Sequence, residues 1–179
     1  MAVEDKDRLK KLSAKAQGNK DIATKVIKEM YPGITQDGID AVLRNIGLET
    51  SFSSVNGQEQ AWDNAKFDSA GNRYKKIKDN YKEYLKTNTK ADYAKLSNDD
   101  KLSVMYWGKT GVKYAGGYGA LQVTSSGWTI DNSQFQSYLD DVSSDMGITS
   151  DELFKKLKEG DFEAGTRFSL AYYTDKGWS

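Results

Sequence analysis

Residues Gly38 to Phe52 read GIDAVLRNIGLETSF, and the spacing of apolar residues in this stretch decides the architecture. Ile39, Val42, Leu43 and Ile46 follow the i, i+3, i+4, i+7 pattern of a helix with one buried stripe. Continuing the stripe puts Glu49 and Thr50 next, so Glu49 is expected to point from the inner face toward whatever lies beyond the helix end. A buried, unpaired carboxylate is costly. It finds a partner (backbone, Lys or Arg), neutralises by raising its pKa, or lines a cleft. The last two outcomes describe a proton donor.

Working outward, the N-terminal side is helical. Glu4 to Gln17 is a highly charged helix with a thin apolar line at Leu9, Leu12 and Ala16, closed by Gly18. Residues 1–18 are thus expected to be a charged appendage or linker, and residues 19–179 the folded domain. Asn19 is positioned to cap a second helix, whose stripe is Ile22, Ala23, Val26, Ile27 and Met30. Tyr31-Pro32-Gly33 ends it, and Thr35 or Asp37 caps the helix carrying Glu49.

On the C-terminal side the pattern dissolves. Ser53 to Asn72 is polar, punctuated by Gly and aperiodic, and it holds Glu59, Trp62, Asp63 and Asp68. Long irregular segments in compact domains often belong to a functional face. Helix period returns over Arg73 to Leu85 through Tyr74, Ile77, Tyr81, Tyr84 and Leu85. Arg73 to Lys95 carries eight Lys/Arg against three Asp/Glu. A solvated helix face explains this excess, and attraction to an anionic polymer such as a wall bearing teichoic acids is the alternative. Ser97 or Asn98 opens a helix through Leu102, Met105 and Tyr106, ended by Gly108. A Gly-, Val-, Tyr- and Thr-rich stretch then predicts a small β/turn element around residues 112–128. Three helices finish the chain, opened by Asn132 or Ser133, by Thr149 with Glu152 in a capping-box pattern, and near Asp161. The fold class expected is mainly α, with one small β element.

Composition narrows the chemistry. The chain has 179 residues, no Cys, no His and a formal net charge of zero. One compact core is the expectation at this length. Disulfide frameworks, thiolate zinc sites and His-dependent nucleophiles are excluded. No metal and no cofactor are expected, and zero net charge argues against nucleic acid as the main partner. No segment reaches the roughly 20 apolar residues of a membrane span. The N-terminus lacks the apolar core of a secretory signal.

The pairing of two stretches carries a resemblance. Glu49-Thr50-Ser51-Phe52 is similar to the Glu-Ser-x-Phe helix end of lytic transglycosylases. Gly119-Ala120-Leu121-Gln122 is similar to their later Gly-x-x-Gln turn. Leu48-Glu49-Thr50 and Gly117-Tyr118-Gly119-Ala120-Leu121-Gln122-Val123-Thr124 resemble the His-Glu-Thr and Gly-Arg-Gly-x-x-Gln-Leu-Thr motifs of family 19 chitinases. Tyr118 is nearest to the aromatic of phage tail lysozymes, whose Gly-Asn-x-x-x-Glu-Ser motif is met in part by Arg44-Asn45-Ile46-Gly47-Leu48-Glu49. The chain thus resembles the lysozyme-like superfamily of peptidoglycan hydrolases, over about 30 positions.

The resemblance implies an α+β lysozyme-like fold, with residues 19–179 as catalytic domain, cutting the β-1,4 glycan backbone of the bacterial cell wall. Glu49 would be the general acid. Gln122, Thr124 and backbone near Tyr118 and Gly119 would bind the sugars, and Gly116, Gly117 and Gly119 would let backbone approach substrate. Thr50 and Ser51 beside the acid, and Trp62 in the loop, complete the candidate binding set. One of Trp62, Trp107 and Trp128 is expected to be a stacking platform. A second carboxylate would stand about 5–5.5 Å away for retention or about 6.5–9.5 Å for inversion. Glu59 is the first candidate and Asp63 the second. If neither reaches the site, the single-carboxylate route of lytic transglycosylases remains. The non-enzyme alternative is a glycan-binding or structural module of a phage tail. The partners implied are peptidoglycan strands and further domains of a larger phage lysin or tail protein. The expected place of action is the wall, from a virion or a phage-encoded lysin.

Overall fold

The computed structural model describes residues 13–52, 57–119 and 122–175, and it is mainly helical, with nine α-helices and one two-stranded sheet among those residues. Helix α1 (Ala14–Met30) begins at Ser13, whose hydroxyl accepts the Ala16 N–H at 3.1 Å. It runs through Gly18 and Asn19 without the expected break. An exposed mid-helix glycine costs only about 1 kcal/mol, which the buried line Ala16, Ala23, Val26 and Ile27 outweighs. The remainder of the expected Glu4–Gln17 helix, up to residue 12, lies outside the described residues. Asn19 is not a cap. It is buried, and its amide donates to the Phe52 carbonyl at 2.8 Å.

Helix α2 (Gln36–Thr50) is capped by Thr35, which accepts the Gly38 N–H. The stretch expected to be irregular contains a short helix, α3 (Asn64–Ser69), because the Asp63 carboxylate caps it by accepting the Lys66 N–H at 3.0 Å. A 3-10 turn, Asn72–Tyr74, leads into α4 (Lys75–Leu85). A short α5 (Lys90–Ala94), closed by a reciprocal capping box between Thr89 and Asp92, has no counterpart in the sequence reading. Helix α6 (Asn98–Trp107) starts at Ser97 and stops at Gly108.

The sheet pairs β1 (Gly116–Tyr118) with β2 (Val123–Ser125) antiparallel, Tyr118 opposite Val123. Helix α7 (Asn132–Met146) is capped by Asp131, one residue before the expected position, through a capping box with Gln134. Helices α8 (Ser150–Glu159) and α9 (Phe162–Asp175) follow, with Thr149 capping α8. No helix among the described residues is long and apolar enough to cross a membrane.

Burial divides the core into three clusters. One joins Phe67, Ile77, Tyr81, Tyr93, Leu102 and Met105 of α3 to α6. A second joins α1 and α2 with Phe52, Phe162 and Leu170. The third packs Tyr118 and Val123 of the hairpin onto α7 and α8 with Phe168. Helix α9 therefore has one face in the second cluster (Phe162, Leu170) and another in the third (Ala164, Phe168). That shared helix positions the candidate site.

Candidate functional site

Glu49 does not lie on the buried stripe. Buried positions on α2 are Ile39, Leu43, Ile46 and Thr50, so after Ile46 the stripe steps by four residues onto Thr50. Glu49 falls to the exposed side beside Leu48, which is 64% exposed. Thr50 closes the helix: its hydroxyl donates to the Ile46 carbonyl at 2.7 Å and accepts the Phe52 N–H at 3.0 Å. Ser51 and Phe52 then turn the chain with φ of 52° and 56°. Two successive non-glycine residues in the left-handed region are strained. The Phe52 ring, buried and lying over Gly47, together with the bond from Asn19, holds this reversal in place. Glu49 itself lies near Tyr173 of α9, whose hydroxyl pKa is raised by burial, then by Tyr172, then by the Glu49 charge.

The hairpin carries the second stretch. Ala120 and Leu121 lie outside the described residues. Gln122 is exposed with φ of 51°, and its amide folds back to donate to the Gly119 carbonyl at 3.0 Å and the Gly57 carbonyl at 3.3 Å. Thr124 donates to the Gln122 carbonyl at 3.0 Å. Tyr118 is not available to a ligand: it is 2% exposed, packs edge-on to Phe135 and donates to the Ala115 carbonyl. The glycines admit the protein's own groups. A Cβ on Gly117 would meet the Gln122 amide oxygen at 2.8 Å. One on Gly119, whose φ is +84°, would meet Ser169 Oγ at 3.1 Å and the Gly165 carbonyl at 3.2 Å. The turn thus rests on α9 at Ser169, about one helical turn along from Tyr173.

Among the described residues the non-glycine positions with positive φ are Ser51, Phe52, Tyr114 and Gln122. Ser51 and Phe52 end the first stretch singled out from sequence, and Tyr114 and Gln122 lie in the β/turn element around residues 112–128 that carries the second. Strained backbone of this kind persists where surrounding structure over-determines it, and it concentrates at binding and catalytic sites.

The carboxylate with the most built environment is Glu59. Its segment runs past the hairpin, where the Glu59 N–H donates to the Gly117 carbonyl at 3.1 Å and the Gly117 N–H returns to the carboxylate at 3.0 Å. The Tyr106 hydroxyl donates to the same carboxylate, 2.8 Å from both oxygens. Burial raises the Glu59 pKa, against the lowering effect of these two donors. Burial and the Glu59 charge push the Tyr106 hydroxyl up in turn. Asn98 fastens the segment on either side of Gln60, donating to the Glu59 carbonyl and accepting the Ala61 N–H. Tyr106 is no candidate on sequence alone, since its place in the line Leu102, Met105, Tyr106 marks only packing. Asp63 is spent on capping α3 and belongs to the first cluster's surface.

Trp62 is half-buried, its ring edge-on to Phe67 and Tyr74; its backbone N–H donates to the Met105 sulfur and its backbone carbonyl accepts the Tyr93 hydroxyl. Trp107 is also half-buried. Trp128 is the exposed one of the three, 37% accessible, its ring centred 5.7 Å from that of Tyr106. The hydroxyl side of Tyr106 therefore holds Glu59 and its ring side supports Trp128. A surface depression lined by Asp21, Thr24, Lys25, Lys28 and Glu29 on α1 contains none of the candidate residues. No group of three or more Asp/Glu among the described residues is placed to hold a metal ion. Comparison of the chain with known protein families, curated proteins and solved structures finds no match.

Proposed function

We propose that this protein is a lysozyme-like peptidoglycan-cleaving enzyme, with Glu49 as proton donor to the β-1,4 glycosidic oxygen. The observation that carries the reading is the clustering of all four left-handed non-glycine residues of the described chain in two separate stretches. In this reading the last helix aligns those stretches: Gly119 rests on Ser169, and the Glu49 charge acts on the Tyr173 hydroxyl. An exposed carboxylate suits this role when a glycan chain lies across it and strips its water, since the proton is then held where the leaving oxygen sits. Gln122 and Thr124, fixed to the turn, offer polar groups along the same edge.

The engagement of the other carboxylates favours the single-carboxylate route. Glu59 is tied to Tyr106 and Gly117, and Asp63 to the first turn of α3. In that route Glu49 first gives its proton to the leaving oxygen. It then takes a proton from a hydroxyl of the sugar that carries the anomeric carbon, as that hydroxyl's oxygen bonds to the carbon the leaving group has vacated, giving an anhydro end and consuming no water.

The test is digestion of polymer-free peptidoglycan by the protein and its Glu49→Gln variant, with soluble fragments read by mass spectrometry. Fragments with anhydro ends, reduced at least about a hundredfold in the variant, are expected. Reducing ends lost in the variant would restore hydrolysis with a second carboxylate. No fragments from the folded protein, or equal release by both, would overturn the reading and leave a binding or structural module.

A further inference from the structure

The chain is electrically neutral as a whole, yet its charge is segregated. From Tyr114 to Phe154 there is no Lys or Arg, against Asp131, Asp140, Asp141, Asp145, Asp151 and Glu152. The compensating excess lies on the first core cluster, around α4. Ile77, Tyr81 and Tyr84 turn inward, which leaves Lys75, Lys78, Lys82 and the closing residue Lys86 in one line at spacings of three, four and four. Lys78 is the half-buried member of the line, and its ammonium donates to the Ala70 carbonyl at 3.2 Å. At the helical rise this line is roughly 16 Å long.

Asp79 sits within it, its pKa lowered by the hydrogen bond from Lys75 and by the charges of Lys75, Lys82 and Lys78. The ion pairs that Lys75 and Lys86 make, with Asp79 at 2.6 Å and Glu83 at 2.7 Å, are exposed and worth little, so they yield readily to a stronger anion. The same helix carries Lys76, whose ammonium lies 5.4 Å from the centre of the Trp128 ring. The lysine line is therefore continuous with the Trp128, Tyr106 and Glu59 side of the molecule.

We propose that the lysine line of α4 docks a phosphodiester polyanion of the bacterial wall, of the polyol-phosphate class. The identity of the polymer's source rests on the wall-cleaving reading above. A chain with one charge per flexible repeat can set successive phosphates against lysines about one helical turn apart. The acidic Tyr114–Phe154 region, which belongs to a different core cluster, repels the same polymer and so fixes which side meets the wall. Nucleic acid fits less well. Single strands stack successive bases on several exposed aromatics along the basic track, whereas Trp128 beside Lys76 is the one large aromatic among the described residues that stands exposed there.

The experiment measures binding of purified poly(glycerol phosphate) to the full chain carrying Glu49→Gln, from about 50 to about 200 mM salt. If the line supplies the contacts, affinity falls linearly on a logarithmic scale, by on the order of fiftyfold across that range for four phosphate contacts. Adding Lys75→Gln, Lys78→Gln, Lys82→Gln and Lys86→Gln flattens the slope by up to about 3. A control set on α1, Lys15→Gln, Lys20→Gln, Lys25→Gln and Lys28→Gln, leaves it within a factor of two, and thermal unfolding confirms that both sets fold. Equal loss in both sets overturns the proposal, as does no binding at low salt or tighter binding of single-stranded DNA of equal charge. Cleavage of polymer-free glycan by the lysine variant in the Glu49 background of the native chain is unchanged. A failed docking and a failed activity reading are therefore told apart.

Discussion

Glu59 is held by two donors in a setting whose burial pushes its pKa up. In the unfolded chain the group ionises at its ordinary value, and in the folded protein it keeps its proton to higher pH. Its contribution to folding is therefore fully present below the unfolded pKa and is lost as pH rises through the folded one. Glutamine at this position stays neutral throughout. The stability of the protein relative to its Glu59→Gln variant should accordingly fall as pH rises across that window and level off above it, read as urea midpoints at a series of pH values. A difference that is flat, or that grows with pH, would contradict the burial argument. Tyr106→Phe removes the larger donor and should cost about 1–3 kcal/mol by leaving a buried carboxylate short of a partner. In the Glu59→Gln background the same change should cost less, since the two residues act on one another.

Helix α1 offers a sharper contrast between sequence and structure. A glycine followed by asparagine reads as a stop and a new cap, yet Gly18 is an exposed interior residue with open space, nothing within 4 Å, where a Cβ would stand, and Asn19 is buried. Gly18→Ala should therefore stabilise by about 0.5–1 kcal/mol in chemical denaturation; a loss would mean that the helix breaks there after all. Asn19→Ala should cost about 1–3 kcal/mol, because the Phe52 carbonyl loses its buried donor. The elements whose signals are local are legible: the Thr35, Ser97 and Thr149 caps, the Gly108 stop and the hairpin all follow from neighbouring residues. Asn19 is not, since its partner is 33 residues away. The side on which Glu49 falls is hidden for a related reason. A period of 3.6 allows the stripe to continue at i+3 or i+4, and only the packing of Phe52 and α9 selects Thr50. Sequence ranks Glu59 by its proximity to Glu49, whereas its environment is built by Tyr106 and Gly117, which nothing local connects to it.

At the scale of the molecule, α9 is the wall between two core clusters and the surface on which the hairpin turn rests. Phe168 is fully buried there, 4.9 Å from Phe135 between ring centres. Phe67 in the first cluster is its counterpart in size and burial, stacked on Tyr81 at 3.7 Å. Each truncation to Ala should cost about 3–5 kcal/mol. The two should differ in what they loosen. A cavity under α9 lets the helix shift, and with it the second cluster that holds the reversal after Glu49. A cavity under Phe67 leaves α9 where it is. Hydrogen exchange at the Ser51 amide, bonded to the Gly47 carbonyl at 2.8 Å, reads this directly. Phe168→Ala should speed that exchange more than Phe67→Ala does at matched global stability. Equal exchange in the two variants would mean that the Glu49 end of α2 is held by α1 alone, and the alignment of the two stretches by the last helix would have to be abandoned.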